Sequence, residues 1–131
     1  MSKLITWIIV GFVAVVGGLA IFSQSGTGVR ELRIGVIEPL TGDAAADGEA
    51  ELRAMQVAAD ELNAEGGIRG KRIELVVEDG KCDSQAAGTA AQKLVQIDKV
   101  KVVIGGGCSG ETLAAAAITE PAKVVLVSPS A

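Results

Sequence analysis

The residues best placed to do chemistry are Gly105-Gly106-Gly107-Cys108-Ser109-Gly110, which follow an apolar run and open an Ala-rich stretch. Glycines let a ligand approach the main chain, and the first N–H groups of a helix have no partner within it. Such a turn favours a small anion such as a carboxylate. Gly107 would admit the ligand and Ser109 would add a hydroxyl hydrogen bond. On residue chemistry alone the plainer reading of Ser109, an ordinary helix N-cap, is the stronger one.

Other chemistries fit these residues poorly. Gly105-x-Gly107-x-x-Gly110 has the spacing of a dinucleotide fingerprint, but it follows the third strand-like run instead of the first. The next run ends in Ser128-Pro129-Ser130, with no acidic residue to hold a ribose. Gly70-Lys71 is followed by Arg72, and no glycine stands five residues before Gly70, so no phosphate loop is formed. Ser109 is not a nucleophile elbow: Glu111 occupies the place of the second glycine, and the chain has no His to activate a serine.

Cys82 and Cys108 are the only cysteines. Without His they cannot fill a tetrahedral metal site, so they read as a disulfide or as two free buried thiols. A disulfide would contribute about 3 kcal/mol in the loop-entropy model. Glu78, Asp79 and Asp83 bracket Cys82 without the spacing of a calcium loop, and read as solvated loop charge and a helix cap. No metal and no cofactor is expected. The formal net charge of −4 argues against a groove that tracks nucleic-acid phosphates. The absence of both His and Tyr removes the usual general base and the phenolic acid, so no enzyme is expected.

The elements that must carry these residues follow from periodicity. Strands are predicted at Leu32–Ile37, Arg72–Glu78, Lys101–Ile104 and Val124–Val127. Between the first two, Leu52, Met55, Ala59 and Leu62 share one face of a helix that Gly66-Gly67 stops. Between the next two, Asp83 caps a helix whose Ala87, Ala90, Leu94 and Ile97 face inward. A third helix, capped by Ser109, runs through Leu113 and Ala117 towards Pro121. The order β-α-β-α-β-α-β predicts an α/β fold with a parallel sheet and helices on both faces. The second strand alternates as an edge does, whereas the third and fourth are continuous apolar runs that imply burial on both faces. A strand order of 2-1-3-4 satisfies this, with the ligand beyond the carboxyl ends of strands one and three.

Leu4–Phe22 is an uncharged apolar run of 19 residues preceded by Lys3. As a helix it would span about 28 Å, near the hydrocarbon thickness of a bilayer. It reads as an uncleaved anchor or as a cleaved signal peptide with a weak site at Ser23-Gln24-Ser25; either implies export. Residues 1–25 are therefore assigned to this leader, 26–30 to a linker and 31–131 to the folded part. Because the fourth strand reads as an interior one and only four residues follow it, the sequence looks cut short.

Five stretches, taken together, resemble a known family: LRIGVIEPLTGDAAADGE, AADELNAEGGIRGKRIELVVED, KCDSQAAGTAAQKLV, VVIGGGCSGETLAAA and VSPSA. They are similar to the start of periplasmic leucine/isoleucine/valine-binding proteins, over roughly Arg33 to Ala131. The resemblance implies a type I periplasmic binding fold, of which this chain supplies the first part of lobe 1, with an amino acid as ligand and an ABC transporter permease as partner. It implies that Cys82 and Cys108 form a disulfide, that Ser109 holds the ligand's carboxylate or amino group, and that Ser130 lies where a backbone contact is made. Asp47 stands where members usually carry an aromatic residue at the cleft, so a carboxylate there would favour an ammonium or a polar side chain. The competing function is a ligand-sensing region of a membrane-anchored receptor; a nucleotide-dependent enzyme is the remote alternative.

Overall fold

Runs rich in Ile and Val, which favour a pleated backbone, become four strands. The computed structural model describes residues 30–130. The leader Leu4–Phe22, with its anchor and signal-peptide readings, and all of the linker but Arg30 lie outside the described residues. Among the described residues no helix is long and apolar enough to cross a membrane.

The strands are β1 (Glu31–Glu38), β2 (Arg72–Asp79), β3 (Val102–Gly105) and β4 (Val125–Val127). They form one parallel sheet of order β2-β1-β3-β4, as predicted. The helices are α1 (Ala45–Ala64), α2 (Ser84–Gln96) and α3 (Ser109–Thr119). Gly35, Val76, Val103 and Leu126 stand in register across one face of the sheet. There Ile37 and Val103 pack with Ala87, Ala90, Ala91 and Leu94 of α2 and Ala115 of α3, forming the main core. The alanines let both helices approach closely: a Cβ placed on Gly35 would lie 2.9 Å from a Leu94 methyl.

Helix α1 lies on the opposite face, over β1 and β2. Its predicted stripe is correct in phase, with Ala59 buried and Leu52 and Met55 half-buried. Leu62 is only partly covered, at the mouth of an apolar hollow of about 140 Å³ lined also by Ile34, Leu75 and Ile104. The helix stops as predicted. Gly67 N–H donates to the Leu62 carbonyl at 2.8 Å and Gly66 N–H to that of Asn63 at 3.1 Å, the paired bonds of a Schellman motif. Gly67 has φ +74°, and a Cβ on it would fall 2.0 Å from the Lys71 carbonyl oxygen, so no other residue fits.

Two sequence expectations of burial, for β4 and for Ile97, are corrected. Val125 and Val127 of β4 are 58% and 50% exposed, so the fourth strand is not buried on both faces; α1 covers β1 and β2 and does not reach it. Ile97 is 72% exposed because α2 ends at Gln96 and Ile97 is its C-cap, while Ala91 takes the inward place. Leu113 is 73% exposed; Glu111, Ala115 and Thr119 form the buried face of α3. The Asp83 cap is as expected, its carboxylate accepting from Ala86 N–H at 2.8 Å.

Candidate functional site

The loop after β1 is positioned by an aspartate at the end of the neighbouring strand. Asp79 accepts hydrogen bonds from Leu40 N–H (2.9 Å), the Thr41 hydroxyl (2.6 Å) and Lys81 N–H (3.0 Å). Partial burial pushes its carboxyl up, but these donors, with the Lys81 charge, outweigh that and hold it below the ordinary aspartate value of 3.8. Asp79 is thus a loop anchor and not the solvated charge expected from sequence. On the other side of β1, Gly106 N–H donates to the Ile37 carbonyl at 2.8 Å. Gly105 and Gly106 both have positive φ, and a Cβ on Gly105 would sit 2.0 Å from that same carbonyl oxygen. The glycine run is therefore required by the close approach of β3 to β1, whatever ligand it serves.

Helix α3 begins one residue earlier than a Ser109 cap would place it: Cys108 is the N-cap and Ser109 the first helical residue. The capping carboxylate is Glu111. Its Oε2 accepts from Cys108 N–H at 3.1 Å and its Oε1 from Cys82 N–H at 2.8 Å. Cys82 and Cys108 are joined by a disulfide, with Cα atoms 5.4 Å apart. One buried carboxylate therefore holds the backbones of both half-cystines, including Cys82 in the left-handed region at φ 53°. Burial raises the Glu111 carboxyl above its ordinary value; the two amides oppose this, and Asp79 and Glu51 add to it. Glu111 was missed as a site residue in the sequence, although an acid at the third helical position is itself a capping-box signal.

The exit of β4 is clasped to the same turn. The Thr112 and Ser128 hydroxyls both reach the Gly106 carbonyl, at 3.0 and 3.3 Å. The Ser130 hydroxyl reaches that of Gly107 at 3.5 Å. Ser130 and Gly107 are thus neighbours. Asp47 sits exposed on the first turn of α1. Its neighbour Gly48 and the half-buried Gly107 both abut Pro39: Cβ atoms on them would lie within 2.8 and 2.9 Å of its Cδ. The start of α1 beside Asp47 is therefore linked to the glycine turn through Pro39. Ser109 itself is exposed at the rim. Since Glu111 occupies the Cys108 amide, the amides of Ser109 and Gly110 are the first of α3 left without a partner within the helix. Among the described residues no group of three His, Cys, Asp or Glu is arranged to hold a metal.

A family profile described as periplasmic binding protein matches residues 31–131. The chain is 37% identical over 114 residues to an amino acid binding protein of Pseudomonas aeruginosa, covering 85% of this chain and 30% of that one. It is 32% identical over 102 residues to the Leu/Ile/Val-binding protein of Escherichia coli, covering 78% and 28%. Among solved structures, it superposes with a TM-score of 0.75 and 42% identity on the substrate-binding protein of a branched-chain amino acid transporter from Streptococcus pneumoniae, in complex with isoleucine. That match covers 77% of this chain and 29% of the other. A solute-binding protein from Rhodopseudomonas palustris in complex with 3,4-dihydroxybenzoic acid matches with a TM-score of 0.69 and 30% identity, over 76% of this chain and 27% of the other. The chain thus spans less than a third of the length of these relatives.

Proposed function

Because the chain belongs to the periplasmic binding protein family, we propose that it is an extracytoplasmic solute-binding component that captures an amino acid, of the branched-chain type or related to it, for an ABC transporter. The observation that carries this is the glycine turn that ends in the first amides of α3, those of Ser109 and Gly110, at the carboxyl edge of a parallel sheet. Two relatives hold isoleucine and 3,4-dihydroxybenzoic acid, and the group common to those ligands is a carboxylate. A carboxylate is also what a helix N-terminus with a neighbouring serine hydroxyl recognises best.

In this reading the Ser109 hydroxyl and the Ser109 and Gly110 amides hold the ligand carboxylate, Gly107 lets it close on the main chain, and Ser130 borders the amino group. Asp47 faces the ligand from α1 and favours an ammonium or a polar side chain over a purely aliphatic one. Export follows from the apolar leader, and a transporter permease is the partner to which the ligand passes.

The test is an amide NMR titration of the full chain with leucine, isoleucine and valine. Chemical shifts that saturate and cluster at Gly107, Ser109 and Gly110 are expected. The described residues supply one wall of such a cleft, and for these residues alone binding near the millimolar range, about 4 kcal/mol, is expected. A well-dispersed spectrum in which those amides do not move at saturating ligand would overturn the proposal.

A further inference from the structure

Glu38 is the last residue of β1 and is completely buried. Neither of its carboxyl oxygens receives a hydrogen bond from the protein, and Glu51 Oε2 on α1 is likewise buried without a donor. Of the neighbouring carboxyls, Glu51 is the one that acts most strongly on Glu38. Two carboxylates in contact repel, and a buried acceptor without a donor is costly. The donor that both lack is a proton.

Among the described residues, none of the groups that act on Glu38 is a cation. Glu111 faces Glu38 from α3, and Asp79 stands opposite it in register on β2. Asp79 is already engaged by Leu40, Thr41 and Lys81, and the charge of Lys81 favours its ionised form. From the turn after β3, the Gly107 main chain approaches. A Cβ on Gly107 would lie 2.7 Å from Glu38 Oε2, and its amide favours the charged form of Glu38 without forming a well-aligned hydrogen bond.

We infer that the buried Glu38 keeps its proton and donates it to Glu51, and that this contact pins the first turns of α1 to the end of β1 directly beneath the Gly107 turn, as a pH-sensitive fastener. While the proton is held, one carboxyl donates to the other and α1 stays seated on Pro39 through Gly48. When it is lost, two like charges meet in a buried space and the only relief is movement of α1, since β1 is fixed by strands on both sides. The inference concerns the fold and stands independently of what the turn above it binds.

Burial, with Glu51 and then Glu111 adding to it, pushes the Glu38 carboxyl up to about 8, so the release falls at the alkaline edge of the physiological range. The test is a ¹³C NMR pH titration of the glutamate carboxyls in the full chain, with Glu38→Gln and Glu51→Gln. One carboxyl titrating near pH 8 is expected. It should vanish in Glu38→Gln and shift to lower pH in Glu51→Gln. A Glu38 titration in the ordinary glutamate range, or one that Glu51→Gln leaves in place, would overturn the inference. Should a variant fail to fold, the unmodified chain still decides. Amide-exchange protection, corrected for intrinsic base catalysis, should fall selectively from Gly48 to Leu52 between pH 7 and 9. Uniform behaviour of all three helices would count against the pair.

Discussion

Ser109 and Glu111 stand two residues apart and illustrate different uses of one helix start. Ser109 is exposed and its removal touches no core contact. Ser109→Ala should leave the melting temperature unchanged while weakening ligand binding up to about tenfold, the worth of one hydrogen bond of roughly 1 kcal/mol. A thermal melt checks the first and an NMR titration with leucine the second. Glu111 is buried and receives two amides. Glu111→Ala strands both, and should cost about 2–5 kcal/mol of stability, read by urea unfolding. The titrating carboxylates act at opposite ends of the pH scale. The folded chain retains a proton on Glu38 that the unfolded chain releases near 4.5, so stability should fall as pH rises from there to about 8 and then level off. Asp79, held below 3.8, acts in the other sense: its contribution is complete above that value and is lost as pH falls through its folded value. Denaturation midpoints across pH 3–9, compared with those of Glu38→Gln, separate the two.

At the scale of elements, β2 is an edge strand, and Asn63 at the end of α1 covers part of that edge. Its Oδ1 accepts from Ile73 N–H at 2.7 Å and its Nδ2 donates to the Ile73 carbonyl at 2.9 Å. The side-chain amide thus takes the place of another strand at that residue. Asn63→Ala should destabilise by about 1–3 kcal/mol and raise aggregation at equal concentration, measured by urea unfolding and light scattering. A stability loss with no change in aggregation would show that the amide serves only to fasten α1. The helix faces hold a related lesson. The stripe Leu52-Met55-Ala59-Leu62 is visible in the sequence because a helix repeats every 3.6 residues. Leu113 and Ile97 have the same apolar character and point outward, because composition cannot say which side of a short, Ala-rich helix meets the sheet.

For the whole molecule, the disulfide and the sheet work together. Cys82 and Cys108 are 26 residues apart and fasten the turn after β2 to the start of α3, with β1 lying between their strands. Reduction should cost about 3 kcal/mol in the loop-entropy model, seen as a lower urea midpoint for the reduced chain. It should also loosen the Gly107 turn, because Glu111 holds the amides of both cysteines. The apolar face left partly open by α1, with Val125 and Val127 at its far side, is a feature of the molecule that no single element shows.

The sequence by itself determined the elements, the parallel order 2-1-3-4, the Asp83 cap, the glycine stop of α1 and the family. Each of these is written in local periodicity, in turn chemistry or in short motifs, so neighbours along the chain suffice to read it. Only the tertiary structure decided that Cys108 and not Ser109 caps α3, that Asp79 anchors the loop after β1, and that Glu38, Glu51 and Glu111 converge from three elements. A carboxylate's role depends on which donors and charges surround it and how much water is excluded. Those neighbours are brought together by chain segments tens of residues apart, and nothing in the local pattern around a glutamate records them.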